Sequence, residues 1–281
     1  MAKSKKKDKL KRKQKSKKKL RFTKKNADKH DLYQRSVQAP ELEVEFMVRA
    51  YKDLNKKGPK TMREDFCGTA LLCATWVQSN KKRTATGVDL DPEVLAWGTE
   101  HNLAPIGEPG DRIELLQQDV MKPPQGTYDV VNALNFSYWI FKTRQTMKAY
   151  FEAVRASLAE GGIFVCDVYG GWESQQPMLE PRPIKGGFTY VWDQDKFDPI
   201  THDIENHIHF EFKDGSKLKK AFSYYWRFWT MPELRELLEE AGFSEVTVHW
   251  DVAESEDDED YQPSQNAENH AGWLAYLVAQ R

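Results

Sequence analysis

The sequence predicts an α/β fold built on a parallel sheet, with an antiparallel β insert late in the chain. Strand-like and helix-like segments alternate from Thr84 to Tyr169, the pattern of parallel strands joined by crossover helices. Between residues 187 and 229 that rhythm gives way to three runs of period two, which read as antiparallel strands. At 281 residues the chain suffices for one large domain with a substantial core.

The elements follow in order. After Pro40, the stretch ELEVEFMVRAYKDL sets Leu42, Val44, Phe46, Met47 and Tyr51 at near-helical spacing, and Gly58 and Pro59 end it. TATGVDL is then a strand and PEVLAWGTEHNL its helix; IELLQQDV is the next strand, followed by a turn at Pro123 and Pro124 and the strand YDVVNALNF. TMKAYFEAVRASLAEGG reads as an amphipathic helix stopped by Gly161 and Gly162, leading into the buried strand IFVCDVY. The insert, at about 172–229, comprises GFTYVWDQ, HDIENHIHFEF and KLKKAFSYYWRFW, the last two joined by a turn at residues 213–216. MPELRELLEEAGF is a helix with Pro232 near its start and Gly242 at its end, and SEVTVHW and AGWLAYLVAQR are closing strands. The acidic, polar stretch between them, 254–270, reads as a mobile loop.

The net charge of -1 hides a strong asymmetry: fifteen Lys and Arg fall in residues 1–25 against the single Asp8, so the remainder is markedly acidic. So dense a block of like charge repels itself and buries nothing, and residues 1–28 are expected to be a disordered basic tail before a domain at 29–281. Residues 3–25 are an electrostatic arm for nonspecific contact with RNA or a ribosome, or a nuclear signal in a eukaryote; a solvated tail without a specific partner is an equal alternative. No run reaches the roughly 18 apolar residues of a membrane span, which points to the cytosol. Cys67, Cys73 and Cys166 form no C-x-x-C pair, so reduced, buried thiols are expected.

The segment REDFCGTALL, residues 63–72, has the form of a strand ending in a small-residue turn that opens a helix, where backbone N–H groups meet a ligand. GVDLDP places Asp89 at the end of the next strand, at the spacing from which an acidic side chain accepts both hydroxyls of a ribose; Asp91 and Pro92 read as the cap of the following helix. Asp119 ends the third strand, where a carboxylate beside the Val120 N–H receives an adenine amine. The fourth strand ends near Asn135, Phe136, Ser137, Tyr138 and Trp139, at the carboxyl edge where substrates of parallel sheets approach.

The order EDFCGTA, GVDLDP, QQDV, DVVNALNFSYW, EGGIFVCDVYGG resembles a class I S-adenosylmethionine (SAM) dependent methyltransferase over residues 31–281. The resemblance implies a Rossmann-like seven-stranded sheet with an antiparallel last strand, SAM as cofactor, and cofactor contacts from Glu64, Asp65, Cys67, Gly68, Asp89, Leu90, Asp119, Val120 and Asn135. The family's loop D-x-G-x-G-x-G maps onto Glu64, Phe66, Gly68 and Ala70, so only the central glycine is kept. The chain carries no G-x-G-x-x-G cradle for a dinucleotide, no Walker loop, no nucleophile elbow and no H-E-x-x-H helix.

Methyl transfer from a sulfonium needs in-line placement more than acid or base catalysis. Asn135, Tyr138, Asp167 and Tyr169 are candidates to orient an acceptor, with Tyr33 and Arg35 closing over it. Asp203, Glu205, His207 and His209 alternate on one strand, but a solvated face accounts for them better than a metal. The run Phe222, Tyr224, Trp226, Phe228 reads as strand core with one face free to wall an acceptor pocket. A small-molecule acceptor is favoured because the acidic body opposes nucleic acid; RNA or protein guided by the tail, and SAM binding without transfer, are the alternatives.

Overall fold

A computed structural model describes residues 22–253 and 259–281. Two helices come first, α1 (Lys29–Val37) and α2 (Pro40–Asn55), followed by β1 (Thr61–Asp65), α3 (Leu71–Ser79), β2 (Thr84–Asp89) and α4 (Pro92–Gly98). Next come β3 (Ile113–Gln117), β4 (Tyr128–Ala133), α5 (Arg144–Ala156) and the long β5 (Leu158–Gly170). The insert holds β6 (Met178–Ile184), β7 (Phe188–Phe197), β8 (Asp203–Phe212) and β9 (Lys217–Arg227), and the chain closes with α6 (Met231–Glu240), β10 (Glu245–Asp251), β11 (Tyr261–Pro263) and β12 (Trp273–Gln280).

The main sheet runs β11-β10-β12-β5-β4-β1-β2-β3. Pairings from β5 to β3 are parallel, and β12 lies antiparallel between β5 and β10. The expected seven strands are all present; the eighth, β11, is a three-residue edge strand within the stretch read as a mobile loop. Residues 254–258 of that stretch lie outside the described residues.

The helices cover the two faces of the sheet. On one side Met47 and Tyr51 of α2 and Trp76 and Cys73 of α3 are fully buried; on the other, Tyr150 and Phe151 of α5 and Leu234 and Leu237 of α6 are equally buried, with Trp139 and Trp229. Full burial of each such side chain stabilises the fold by about 1.5–3 kcal/mol. Capping is explicit at α6, where Thr230 accepts from the Glu233 N–H and Glu233 reaches back to the Thr230 N–H at 2.9 Å.

The insert forms a separate antiparallel sheet in the order β6-β7-β8-β9. The three anticipated strands are joined by a fourth, β6, which the alternation missed because Pro181 and Pro183 break its pattern; it stands at a sheet edge, where proline is tolerated.

The N-terminal boundary also moves. Residues 1–21 of the tail lie outside the described residues, but 22–28, assigned to the tail from charge alone, are folded. Phe22 packs edge-on against Phe188 at 5.4 Å, and Asp28 caps α1 by accepting from His30 N and Asp31 N. Leu32 of α1 is completely buried against the insert. Among the described residues, no helix is long and apolar enough to cross a membrane.

Candidate functional site

β1 sends alternate side chains to opposite faces, as a strand must. Arg63 and Asp65 turn toward α5: Arg63 Nε and Nη2 donate to the two carboxylate oxygens of Asp65 at 2.8 and 3.0 Å, Arg63 Nη1 to Ser157 Oγ at 2.7 Å, and Tyr150 Oη to Asp65 at 2.9 Å. Glu64 turns the other way and receives Cys73 N and Sγ at 3.2 and 3.0 Å, so it satisfies an amide at the start of α3. Burial pushes the Glu64 carboxyl up to about 8, against the opposing pull of the Cys73 bonds.

After β1 the chain turns through Phe66 (φ 58°), Gly68 (φ 51°) and Ala70 (φ 54°), all left-handed. These are the positions where the resembling family has glycine. The chain keeps the glycine conformation with two side chains that pay roughly 1–2 kcal/mol each for it. Phe66 has a compensating contact, its ring packing 6.0 Å from Phe141 and 6.1 Å from Tyr150. The turn is pinned by Cys67 N on the Val88 carbonyl at 3.0 Å and by Gly68 N on Asp89 Oδ2 at 2.8 Å. A Cβ on Gly68 would meet nothing within 4 Å, so the backbone there faces open space.

Asp89, at the end of β2, also accepts from Asp91 N at 3.0 Å, and Asp91 caps α4. α4 in turn packs so closely on the turn that a Cβ at Gly98 would lie 2.4 Å from the Thr69 carbonyl.

At the end of β4, Asn135 (φ 56°) and Phe136 (φ 58°) form a left-handed pair. Asp167 of β5 holds them by accepting both amides, at 2.7 and 2.9 Å. Its carboxyl is nonetheless pushed up to about 7, because burial outweighs the two amides.

Two cavities meet at these strand ends. The first, about 350 Å³, is a groove floored by Glu64, Gly68, Asp89 and Asn135 and roofed by Lys29, His30 and Tyr33 of α1. Glu43 of α2 reaches it as well, its carboxyl raised to about 8 by burial and by the neighbouring Glu64 and Asp167. The second, about 530 Å³, is walled by Tyr169, Tyr190, Trp192, Trp273 and residues of the insert. Tyr33, Asn135, Tyr224 and Trp226 line both. Each volume is in the range of a small-molecule site.

Of the nine cofactor contacts expected from the sequence, Glu64, Asp65, Cys67, Gly68, Asp89 and Asn135 line the first cavity. Asp65 has both carboxylate oxygens engaged by Arg63 and Tyr150. Leu90, 65 % exposed, Asp119 and Val120 do not line it, and Asp119 accepts instead from Met121 N. Tyr33 lines both cavities, whereas Arg35 is exposed and paired with Asp31. Tyr138 is fully buried and donates to the Asp167 carbonyl at 2.7 Å. The contributions of Lys29, His30, Gln38 and Glu43 were not legible: no motif marks them, and only the packing of α1 and α2 across the strand ends brings them in.

On the insert, Glu205 and His207 come together with Asp195, but Lys220 stands among them, its Nζ 2.9 Å from His207 Nε2 and 3.5 Å from Asp195. The lysine ammonium supplies the positive charge that those groups call for.

A family model described as "Methyltransferase domain" matches residues 67–164, from the turn after β1 into β5. Among curated proteins, an 18S rRNA (guanine-N(7))-methyltransferase of Schizosaccharomyces pombe is 22% identical over 163 residues, 56% of this chain; the match spans 59% of that relative's length. A SAM-dependent methyltransferase from Clostridium acetobutylicum superposes with a TM-score of 0.67 at 17% identity, covering 89% of this chain and 96% of its own. An amino pentose methyltransferase from Micromonospora echinaspora superposes with a TM-score of 0.65 at 16% identity, covering 90% of this chain and 95% of its own.

Proposed function

We propose that the chain, which matches a methyltransferase-domain model over residues 67–164 and shares its fold with SAM-dependent methyltransferases, transfers a methyl group from SAM to a small-molecule acceptor. The observation that carries this reading is the meeting of the two cavities along Tyr33, Asn135, Tyr224 and Trp226. A cofactor in the groove floored by Asp89 and an acceptor in the aromatic cavity would face one another across that seam.

The residues present suit the cofactor. Gly68 leaves open space where any other side chain would protrude, and the Asp89 carboxylate ends β2 where a ribose diol would lie. The carboxyls of Glu43 and Glu64 lie beside a groove whose proposed occupant carries a sulfonium and an ammonium. SAM supplies an electrophilic methyl group; the protein's part is to bind, align and exclude water. Asp89 would hold the nucleoside, Asn135 and Tyr33 would fix the approach, and Asp167 acts one step removed, by holding the Asn135–Phe136 turn in its left-handed form. The three cysteines are buried free thiols, which suits the cytosol of this reading.

A second reading is favoured by the rRNA methyltransferase relative together with the basic residues 3–25: methylation of RNA recruited by the arm. Incubation with labelled SAM, separately with metabolite extract and with total RNA, separates the two. The first reading expects label in small molecules, undiminished when residues 1–21 are removed. Label confined to RNA and lost on that truncation would replace it with the second.

A further inference from the structure

The aromatic cavity restricts what the acceptor can be. Aromatic side chains make up much of its lining: Trp192 lies 6.1 Å from Tyr224, which stacks on Trp226 at 4.3 Å, and Tyr190 and Trp273 line it as well. Among the described residues, the charged groups lining it are Glu173, Glu180 and Arg182, and all three are exposed at the rim. Arg182 is already occupied, donating to the Ser36 carbonyl and lying 5.1 Å over the Tyr190 ring.

Inside the rim the titratable groups are the phenols of Tyr33, Tyr169, Tyr190 and Tyr224. Burial raises all four above the ordinary tyrosine value, so they stay protonated and are poor bases at neutral pH. A hydroxyl acceptor must lose its proton as its oxygen is methylated and needs a base at the seam. A neutral amine needs none, because its lone pair attacks directly. Such an amine arrives as an ammonium, which ring faces and rim carboxylates attract, and transfer to the less polar interior favours loss of its proton.

Resting on the methyltransferase reading above, we infer that the acceptor is a nitrogen nucleophile, an amine carried on a small ring-bearing molecule, admitted between Glu173 and Glu180 and held against Trp192, Tyr224 and Trp226. The nitrogen lone pair forms the new N–C bond while the C–S bond of the sulfonium breaks, its electron pair remaining on sulfur. The product is an N-methylammonium, which gives its proton to water at the rim. His30, Glu43, Glu64, Asp65, Asp89 and Asp91 line the cofactor groove and not this cavity. His30 packs between the Trp97 and Phe222 rings, 5.3 and 6.0 Å from their centroids.

The test uses the full chain and matched probes, benzylamine and benzyl alcohol. With SAM binding established first by calorimetry, tryptophan fluorescence is titrated with each probe, and the products formed from labelled SAM and metabolite extract are sorted by whether the methyl sits on nitrogen or oxygen. We expect benzylamine to bind at least about tenfold more tightly than benzyl alcohol, a preference reduced about threefold by Glu180→Gln, an exposed rim change that leaves the walls intact. Label is expected on nitrogen. Equal or weaker binding of the amine, or label on oxygen, overturns the inference while leaving the methyltransferase reading standing; label on oxygen that disappears in His30→Gln would identify the base this cavity lacks. Failure of SAM to bind would overturn both.

Discussion

Asp65 sits where the resembling family would have a cofactor contact, yet it is 1 % exposed and paired with Arg63, which is fully buried. Asp65→Asn removes the carboxylate charge and leaves Arg63 buried without its counterion. Two guanidinium bonds and the Tyr150 hydroxyl converge on the two oxygens; the amide keeps one oxygen and turns NH₂ donors toward a donor. Breaking a buried ion pair from one side costs about 3–5 kcal/mol. For a domain of this size about 1 kcal/mol shifts the melting temperature by roughly 2–4 °C, so a fall of roughly 6–20 °C is expected, read by circular dichroism with urea unfolding beside it. Replacing both partners by apolar residues, Arg63→Met with Asp65→Leu, should recover much of the loss, since neither charge is then stranded. A single Asp65→Asn variant within about 1 kcal/mol of the parent would show that the pair is not desolvated as described.

Gly98→Ala would ordinarily strengthen a helix by up to about 1 kcal/mol, but the added methyl would lie 2.4 Å from the Thr69 carbonyl; overpacking of about 1–3 kcal/mol should reverse the sign and weaken SAM binding, and a more stable variant with unchanged binding would contradict the close approach of α4. Glu43 and Glu64, raised to about 8, and Asp167, raised to about 7, hold protons more tightly folded than unfolded. Their contribution is fully present below about pH 4 and is lost as pH rises through about 7 to 8, so the melting temperature should fall between pH 6 and pH 8.5, less steeply in Glu64→Gln; an equal fall in that variant would remove Glu64 from the account. A cationic ligand beside Glu43 and Glu64 should also expel protons, so at pH 7.5 the calorimetric enthalpy of SAM binding should vary with the ionisation enthalpy of the buffer, and constancy across buffers would argue against those carboxyls facing the ligand.

The parallel sheet was legible because its strands and crossover helices differ in period, and Asp89 because it ends a strand at a spacing with a physical meaning. The helix α1 was not. Its polar sequence KHDLYQRSV follows directly on the charged tail, and the side chains that make it pack, Leu32 and Tyr33, find their partners in the insert far along the chain. The left-handed turn at Phe66 and Ala70 defeats a reading by residue type, since neither residue favours that backbone and only the surrounding packing imposes it. The Arg63 partner of Asp65 was hidden for a related reason: a carboxylate next to a binding turn looks alike in sequence whether or not a buried guanidinium engages it, and the ion pair emerges only once the alternation of β1 puts both side chains on one face.

SAM binding in the groove floored by Glu64, Gly68, Asp89 and Asn135 is measured by calorimetry on the full chain and on Asp89→Ala. Asp89 offers charge-assisted acceptors, whose hydrogen bonds contribute about 1.5–3 kcal/mol, and its loss also frees the Gly68 turn. Saturable binding by the parent and an affinity roughly 10- to 150-fold weaker in the variant are expected; no binding by the parent at high micromolar SAM, or equal binding by both, would show that this groove is not the SAM site.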